Sequence, residues 1–144
     1  MKKRTIKVFV DFDGTITLED VGEAIFRKFG NTESVNRIID DLLNSRISSR
    51  QCWDELCESV NVINKSELDS FINLLDVDPT FNAFVKYCSD TEIELVVLSD
   101  GFDYYIDRVF SKAGLIGIEY YSNKLFVDEK GIIKTEYPYF DIDS

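Results

Sequence analysis

Asp11 and Asp13 stand two residues apart in Asp11-Phe12-Asp13-Gly14-Thr15, directly after the apolar run Val8-Phe9-Val10. Side chains on a strand alternate with period two, so two carboxylates at this spacing point to one side and Phe12 points into the protein. Gly14 allows the backbone to turn sharply, and Thr15 adds a hydroxyl beside backbone N–H groups freed at the turn. One carboxylate in such a pair can attack phosphorus as a nucleophile while the other moves protons. Two carboxylates this close repel each other and ask for a cation, and oxygen-only ligands favour Mg²⁺. A strand-to-helix turn with a capping Asp accounts for one acid and the glycine, but not for the second acid.

The elements that must position this turn can be read from periodicity. Ile6 to Phe12 reads as a buried parallel strand. From Leu18 to about Leu75 the pattern is helical. Val21, Ala24, Ile25 and Phe29 mark one helix, closed by Gly30-Asn31, and Val35, Ile38, Ile39, Leu42 and Leu43 mark a second. Ser48 or Ser49 caps a third, carrying Trp53, Leu56 and Val60, and Ser66-Glu67 opens a fourth. Four short helices inserted directly after a strand form a cap or lid. Pro79 then starts a helix through Phe81, Phe84, Val85 and Cys88.

Ile93 to Leu98 is a second buried strand, ending in Ser99-Asp100-Gly101. A helix with Tyr105, Ile106, Val109 and Phe110 follows and stops at Gly114. Ile118 to Tyr121 reads as a third strand, and Asn123 to Glu136 as a separate hairpin turning at Asp128-Glu129-Lys130-Gly131. In an open α/β sheet, ligands bind at the carboxyl ends of the strands, so the two polar turns are expected to meet. The N–H groups after Ser99, at Asp100 and Gly101, head toward a helix N-terminus and make an anion site.

The stretch DFDGTIT resembles the first motif of the haloacid dehalogenase superfamily, most of whose members are phosphatases, and Ser99 after LVVL resembles its second. The longer string VVLSDGFDYYI is similar to the phosphoserine-phosphatase-like branch and, within it, to the MtnX-like phosphatases of methionine salvage. The resemblance implies an α/β fold: a Rossmann-like parallel sheet made by residues 1–17 and 77–144, with a helical cap at 18–76. It also implies roles. Asp11 becomes an aspartyl-phosphate, and Asp13 protonates the leaving alcohol and then activates water. Mg²⁺ is held by the Asp11 carboxylate and the Asp13 main-chain carbonyl. Ser99, Asp100 and Gly101, with Gly14 and Thr15, cradle the phosphoryl group. Phosphoserine phosphatases hold the substrate amine with an acid early in the cap, where Asp20 lies here with Glu19 and Glu23 nearby; the same acids also suit a helix N-terminus.

The chain departs from that pattern in two places. The cap arginine that phosphoserine phosphatases use for the substrate carboxylate falls near Asp54, and Arg50, close in sequence, falls on another helix face. The later lysine and Gly-Asp motifs have no counterpart before Ser144, so the sheet is expected to be incomplete at its C-terminal side. Lys134 lies inside the hairpin, and Asp141 and Asp143 read as an acidic terminus. An incomplete sheet exposes an unpaired edge and a bare face, and self-association is expected from it.

Composition bounds the partners. A chain of 144 residues is one domain by length, and its 44% hydrophobic and 13% aromatic content marks a globular chain. A net charge of -11 repels nucleic acid and anionic membranes. No run is long and apolar enough to span a membrane, and no signal-peptide core follows the basic start, so the cytoplasm is the expected setting. With no histidine, Ser-His and Cys-His catalysis are excluded. Cys52, Cys57 and Cys88 read as reduced structural thiols. The expected function is Mg²⁺-dependent hydrolysis of a small phosphorylated metabolite. The alternatives are phosphoserine as substrate, a catalytically impaired relative that binds a phosphorylated ligand or protein partner, and a phosphotransferase or dehalogenase on the same fold.

Overall fold

The structure is a computed structural model, and it describes residues 4–140. Asp141 and Asp143 lie outside the described residues. Four strands form one sheet in the order β1-β2-β3-β4. β1 (Lys7–Val10) and β2 (Glu94–Phe102) pair parallel, as do β2 and β3 (Glu119–Val127), while β4 (Ile133–Glu136) returns antiparallel to β3. This is the parallel α/β architecture read from the sequence.

Between β1 and β2 lie four helices, α1 (Val21–Phe29), α2 (Thr32–Leu43), α3 (Ser49–Ser59) and α4 (Lys65–Ile72), followed by α5 (Pro79–Asp90). Their starts carry side-chain caps that satisfy otherwise orphaned N–H groups. Asp20 caps α1, Asn31 caps α2, and Ser48 with Gln51 makes a reciprocal capping box on α3. α4 is capped by Asn64, two residues before the Ser66-Glu67 start read from the sequence. The chain enters and leaves the four-helix insert side by side. Thr17 bridges Val77, the Leu18 N–H donates to the Asp76 carbonyl (3.1 Å), and the Asp78 N–H donates to the Ile16 carbonyl (2.8 Å).

α5 packs on β2, and α6 (Asp103–Lys112) packs on β3. One buried apolar cluster runs through sheet, α6 and insert: Phe12, Ile16, Val21, Phe26, Leu56, Phe102, Tyr105 and Phe110 all belong to it. Phe12 is fully buried, against Tyr105 (ring centroids 6.0 Å) and Phe110 (5.4 Å). Burial of such a ring contributes about 1.5–3 kcal/mol, and here it pins the turn between Asp11 and Asp13.

Three strand boundaries differ from the sequence reading. β1 ends at Val10, so Asp11 to Asp13 form a turn rather than a strand end. β2 does not stop at Leu98. Leu98 pairs with Tyr121 and Phe102 with Asn123, so four steps along β2 match two along β3. That bulge throws Ser99, Asp100 and Gly101 out of the ladder. β3 is one continuous strand, not a strand followed by a separate hairpin: its first half pairs with β2 and its second half with β4. The hairpin tip is tied to the insert, where the Ile63 N–H donates to the Gly131 carbonyl (2.9 Å).

β1 is an edge strand. Ladder partners share a face, which places Phe9, Leu98 and Tyr121 on one side of the sheet. All three are substantially exposed, Phe9 at 58%. The opposite face is the one covered by α6, where the Tyr120 hydroxyl donates to Asp107 and its ring meets Phe110.

Candidate active site

The Asp11–Thr17 turn is built around the Phe12 carbonyl, which accepts from the N–H groups of Thr15 (3.2 Å), Ile16 (2.9 Å) and Thr17 (3.3 Å). Gly14 takes φ +71°, and its N–H donates to Thr17 Oγ1 (3.0 Å). The expectation that this turn leaves free N–H groups for a phosphate at Gly14 and Thr15 is therefore corrected: both are engaged inside the turn. What the turn presents is the exposed Asp11 carboxylate, with Oδ1 accepting from the next N–H, at Phe12 (2.8 Å).

Asp13 is held differently. Its Oδ1 accepts from the N–H groups of Val21 (2.9 Å) and Gly22 (3.3 Å), at the start of α1. Its Oδ2 accepts from the Tyr105 hydroxyl (2.7 Å), which is itself buried. Burial pushes the Asp13 carboxyl up to about 6, and the charge of Asp20 adds to the rise. The hydrogen bonds from Tyr105 and the two N–H groups oppose it. The two acids thus share a turn but differ in environment, one wet and one desolvated.

The second turn reaches the first. A Cβ placed on Gly101 would overlap the Tyr105 hydroxyl and lie 2.6 Å from Asp13 Oδ2, so the backbone here passes too close for any side chain. The Gly101 N–H donates to Ser99 Oγ (3.0 Å), which leaves the Ser99 hydroxyl hydrogen free to donate outward. Asp100 is clamped from both sides. Its Oδ2 accepts from the Ser49 hydroxyl (2.8 Å) and its carbonyl accepts from the Asn123 side-chain amide (2.7 Å).

A cleft of about 660 Å³ opens on this turn, lined by Ser99 and Asp100 below and by Ser49, Arg50, Trp53 and Tyr137 among the walls. Arg50 thus reaches the cleft, and the expectation that it falls on another face than Asp54 is corrected: the two are four residues apart and side by side on α3, with Arg50 Nε 4.0 Å from Asp54 Oδ2. Arg50 sits in the first turn of α3, and the first turn is the end that abuts the Ser99 turn. Asp11 and Asp13 lie beyond the lining. Asp20 is occupied as the α1 cap, its carboxylate accepting from the Glu23 N–H (2.8 Å). Burial pushes Asp20 up, and Glu23, Asp100 and Asp11 add to it, so Asp20 lies within electrostatic reach of the site. Glu23 is turned away, paired with Arg27 at 2.8 Å. Lys134 is exposed on β4 and does not line the cleft.

Both Asp13 side-chain oxygens are taken, which leaves its carbonyl. That carbonyl and Asp11 Oδ2 accept no hydrogen bond among the described residues. These two oxygens fit an ion such as Mg²⁺, which takes few protein ligands and keeps several waters. No group of three or more acids or thiols that could hold a metal occurs among the described residues. The cysteines are unpaired, and burial pushes Cys52 to about 11 and Cys57 to about 12.

Residues missed in the sequence were Tyr105 as the Asp13 partner, and Ser49 and Asn123 as the Asp100 clamps. Each was read as core, cap or hairpin. The only local signal was a hydroxyl or amide at a place where an apolar side chain would pack as well.

A parallel sheet with a helical insert after its first strand, and two polar turns converging at the strand ends, is the architecture the chain shares with a solved HAD family hydrolase of Salmonella enterica (TM-score 0.77 at 14% identity, over 92% of this chain and 45% of that chain). The chain belongs to the family described as "Putative Phosphatase", whose profile matches residues 6–142. It is 31% identical over 136 residues to Pdp3-interacting factor 1 of Schizosaccharomyces pombe, covering 90% of this chain and 59% of that protein. It is 30% identical over 124 residues to 2-hydroxy-3-keto-5-methylthiopentenyl-1-phosphate phosphatase of Brevibacillus brevis, covering 85% of this chain and 55% of that one. A solved phosphoserine phosphatase, a phospho-aspartyl intermediate analogue, shares the fold with TM-score 0.75 at 20% identity, over 93% of this chain and 65% of that chain. The chain therefore spans a little over half the length of these curated relatives.

Proposed function

We propose that this chain carries the nucleophile and general-acid half of a Mg²⁺-dependent phosphomonoester hydrolase acting on a small phosphorylated metabolite. The observation that carries the reading is the convergence at Gly101, where the Ser99 turn touches Asp13 and Tyr105. Asp11, exposed in the turn, attacks phosphorus and forms an acyl phosphate as the P–O ester bond breaks. Asp13, raised to about 6, gives its proton to the departing alkoxide and then accepts one from the water that hydrolyses the intermediate. The Ser99 hydroxyl donates to a non-bridging phosphoryl oxygen. Mg²⁺, held by the Asp11 carboxylate and the Asp13 carbonyl, supplies charge neutralisation when bound.

The cleft walls combine aromatic rings with hydroxyl and amide groups, at Trp53, Tyr121, Tyr137, Ser48, Ser49 and Asn123. That chemistry suits a sugar-like or keto alcohol, in keeping with the hydroxy-keto phosphate for which the Brevibacillus relative is named. Phosphoserine is the runner-up. Three unpaired thiols favour a reducing compartment, the cytoplasm.

A second reading is favoured by one observation. Among the described residues two candidate cation ligands are on hand and no three-acid cluster occurs. On that reading the chain binds a phosphorylated ligand or protein partner and turns over slowly or not at all. The two are separated by p-nitrophenyl phosphate hydrolysis with and without Mg²⁺, beside Asp11→Asn. Mg²⁺-dependent turnover lost in the variant supports the hydrolase. Phosphate binding without turnover supports the binder.

A further inference from the structure

The Ser99 turn has a charge problem. A phosphate ester arriving there meets Asp100 in the cleft lining, with Asp13 Oδ2 beside Gly101 and Asp20 close enough to feel both Asp100 and Asp11, on a chain of net charge -11. Among the residues that line the cleft, one is cationic, Arg50, and one is anionic, Asp100. Two features set Arg50 apart from an ordinary surface arginine. Its guanidinium is held by stacking, with Cζ 4.9 Å from the Tyr137 ring centre and 4.2 Å from that of Phe140. Tyr137 is fixed in turn, donating its hydroxyl to Asp54 Oδ1 (2.7 Å) and packing against Phe102.

The second feature is that the N–H fork is unspent. Arg50 Nε lies 4.0 Å from Asp54 Oδ2, beyond hydrogen-bond length, and the guanidinium makes no hydrogen bond among the described residues. By contrast Arg27 and Arg46 each spend theirs on carboxylates. A guanidinium immobilised on rings with its donors free has lost its entropy in advance, and its planar fork matches two oxygens of a phosphate. Its neighbour Ser49 is bonded to Asp100, so the start of α3 is docked on the turn that carries Ser99.

We propose that Arg50 is the phosphate-binding cation of this cleft, gripping the phosphoryl oxygens of the ligand whose ester group rests on Ser99. The inference rests on the reading of Ser99 as the phosphoryl turn, and it assigns a binding residue that the sequence had placed elsewhere. Arg50 then offsets the acids around the turn and orients the ester, while Trp53 and Tyr121 are left to contact the organic part.

Inorganic phosphate serves as the probe, titrated calorimetrically at low ionic strength into the wild type and into Arg50→Gln, Arg50→Lys and Ser99→Ala. Gln keeps the apolar stem against Tyr137 and Phe140 while removing the charge. Arg50→Gln is expected to weaken phosphate binding at least about tenfold, the scale of a charge-assisted hydrogen bond, and Arg50→Lys to recover part of it. Melting temperature is recorded alongside and is expected to stay unchanged, because Arg50 is half exposed. Unaltered binding in Arg50→Gln with loss in Ser99→Ala overturns the role of Arg50 and leaves the phosphoryl turn standing. Weakened binding with a lowered melting temperature and no recovery in Arg50→Lys assigns Arg50 to packing and also overturns it. No binding by the wild type at tens of millimolar phosphate, roughly, removes both readings.

Discussion

Gly101→Ala tests the convergence on which the proposed chemistry depends. The added methyl would overlap the Tyr105 hydroxyl and lie 2.6 Å from Asp13 Oδ2 and 2.9 Å from Tyr105 Cζ, all inside van der Waals contact. Tyr105 is buried to 1% exposure and its ring packs on Phe12 and Phe102, so it has little room to retreat. Overpacking of this kind costs about 1–3 kcal/mol. Separation of the hydroxyl from Asp13 Oδ2 leaves a desolvated carboxylate oxygen without its donor, about 1–3 kcal/mol more. The total of about 2–5 kcal/mol corresponds to a fall of about 6–20 °C in melting temperature for a chain of this length. The assay is urea and thermal unfolding of Gly101→Ala, Tyr105→Phe and the double variant. Removing the hydroxyl relieves the worst overlap, so the double variant is expected to be more stable than the sum of the singles by at least about 1 kcal/mol. Effects that add within about 0.5 kcal/mol, or a Gly101→Ala protein as stable as the wild type, would show that the two turns do not meet as described.

Four further outcomes follow from the same geometry. The Asp13 carboxyl titrates near 6 in the folded chain against an ordinary value of 3.8, so the native state binds more protons between those values and loses stability as pH rises through them. Asp13→Asn is expected to remove up to about 2–3 kcal/mol of that decline, read from urea melts between about pH 4 and 7; equal slopes for both proteins would refute the shift. Asp11→Asn is expected to abolish any turnover while leaving the melt unchanged, because Asp11 is exposed and its Oδ1 bond is to the adjacent backbone. Asp20→Ala loses a helix cap worth about 1 kcal/mol but relieves repulsion from Glu23, Asp100 and Asp11, so its net cost by thermal melting is expected to fall below that figure. Self-association through the β1 edge is expected from Phe9 and Ile6, which are more than half exposed there. Sedimentation should show Phe9→Lys shifted toward monomer, and identical profiles for both proteins would remove that edge from consideration.

What could be read from the sequence, and what could not, divides by range. The helices of the insert were legible because each announces itself locally, through a cap such as Ser48 and an apolar stripe such as Val21, Ala24, Ile25 and Phe29. The meeting of the Asp11 and Ser99 turns was legible too, because parallel strands joined by helices must bring their carboxyl ends together. The errors fall where a residue answers to a distant partner. Ser-Asp-Gly reads as the end of a strand, yet β2 resumes pairing at Phe102 because Asn123 on β3 offers the next ladder position and its side chain holds the Asp100 carbonyl. β3 reads as two pieces because its partner changes from β2 to β4 midway, and periodicity along one strand carries no record of a change of neighbour.

Arg50 and Tyr105 show the same limit at the level of single side chains. Helical spacing says which face of α3 a residue occupies, but at the first turn of a helix the axis itself decides what is near. Arg50 and Asp54 are in fact four residues apart and share a face of α3, and because the start of α3 abuts Asp100 it is Arg50 that reaches the cleft. Tyr105 satisfies the apolar pattern of α6 as a Phe would, and its hydroxyl gains meaning only because Gly101 lets the chain pass within reach of Asp13. A pattern of apolar positions thus predicts where a ring is buried. The polar atom at its tip is decided by a buried acceptor that needs a donor, and that acceptor lies 92 residues away in the chain.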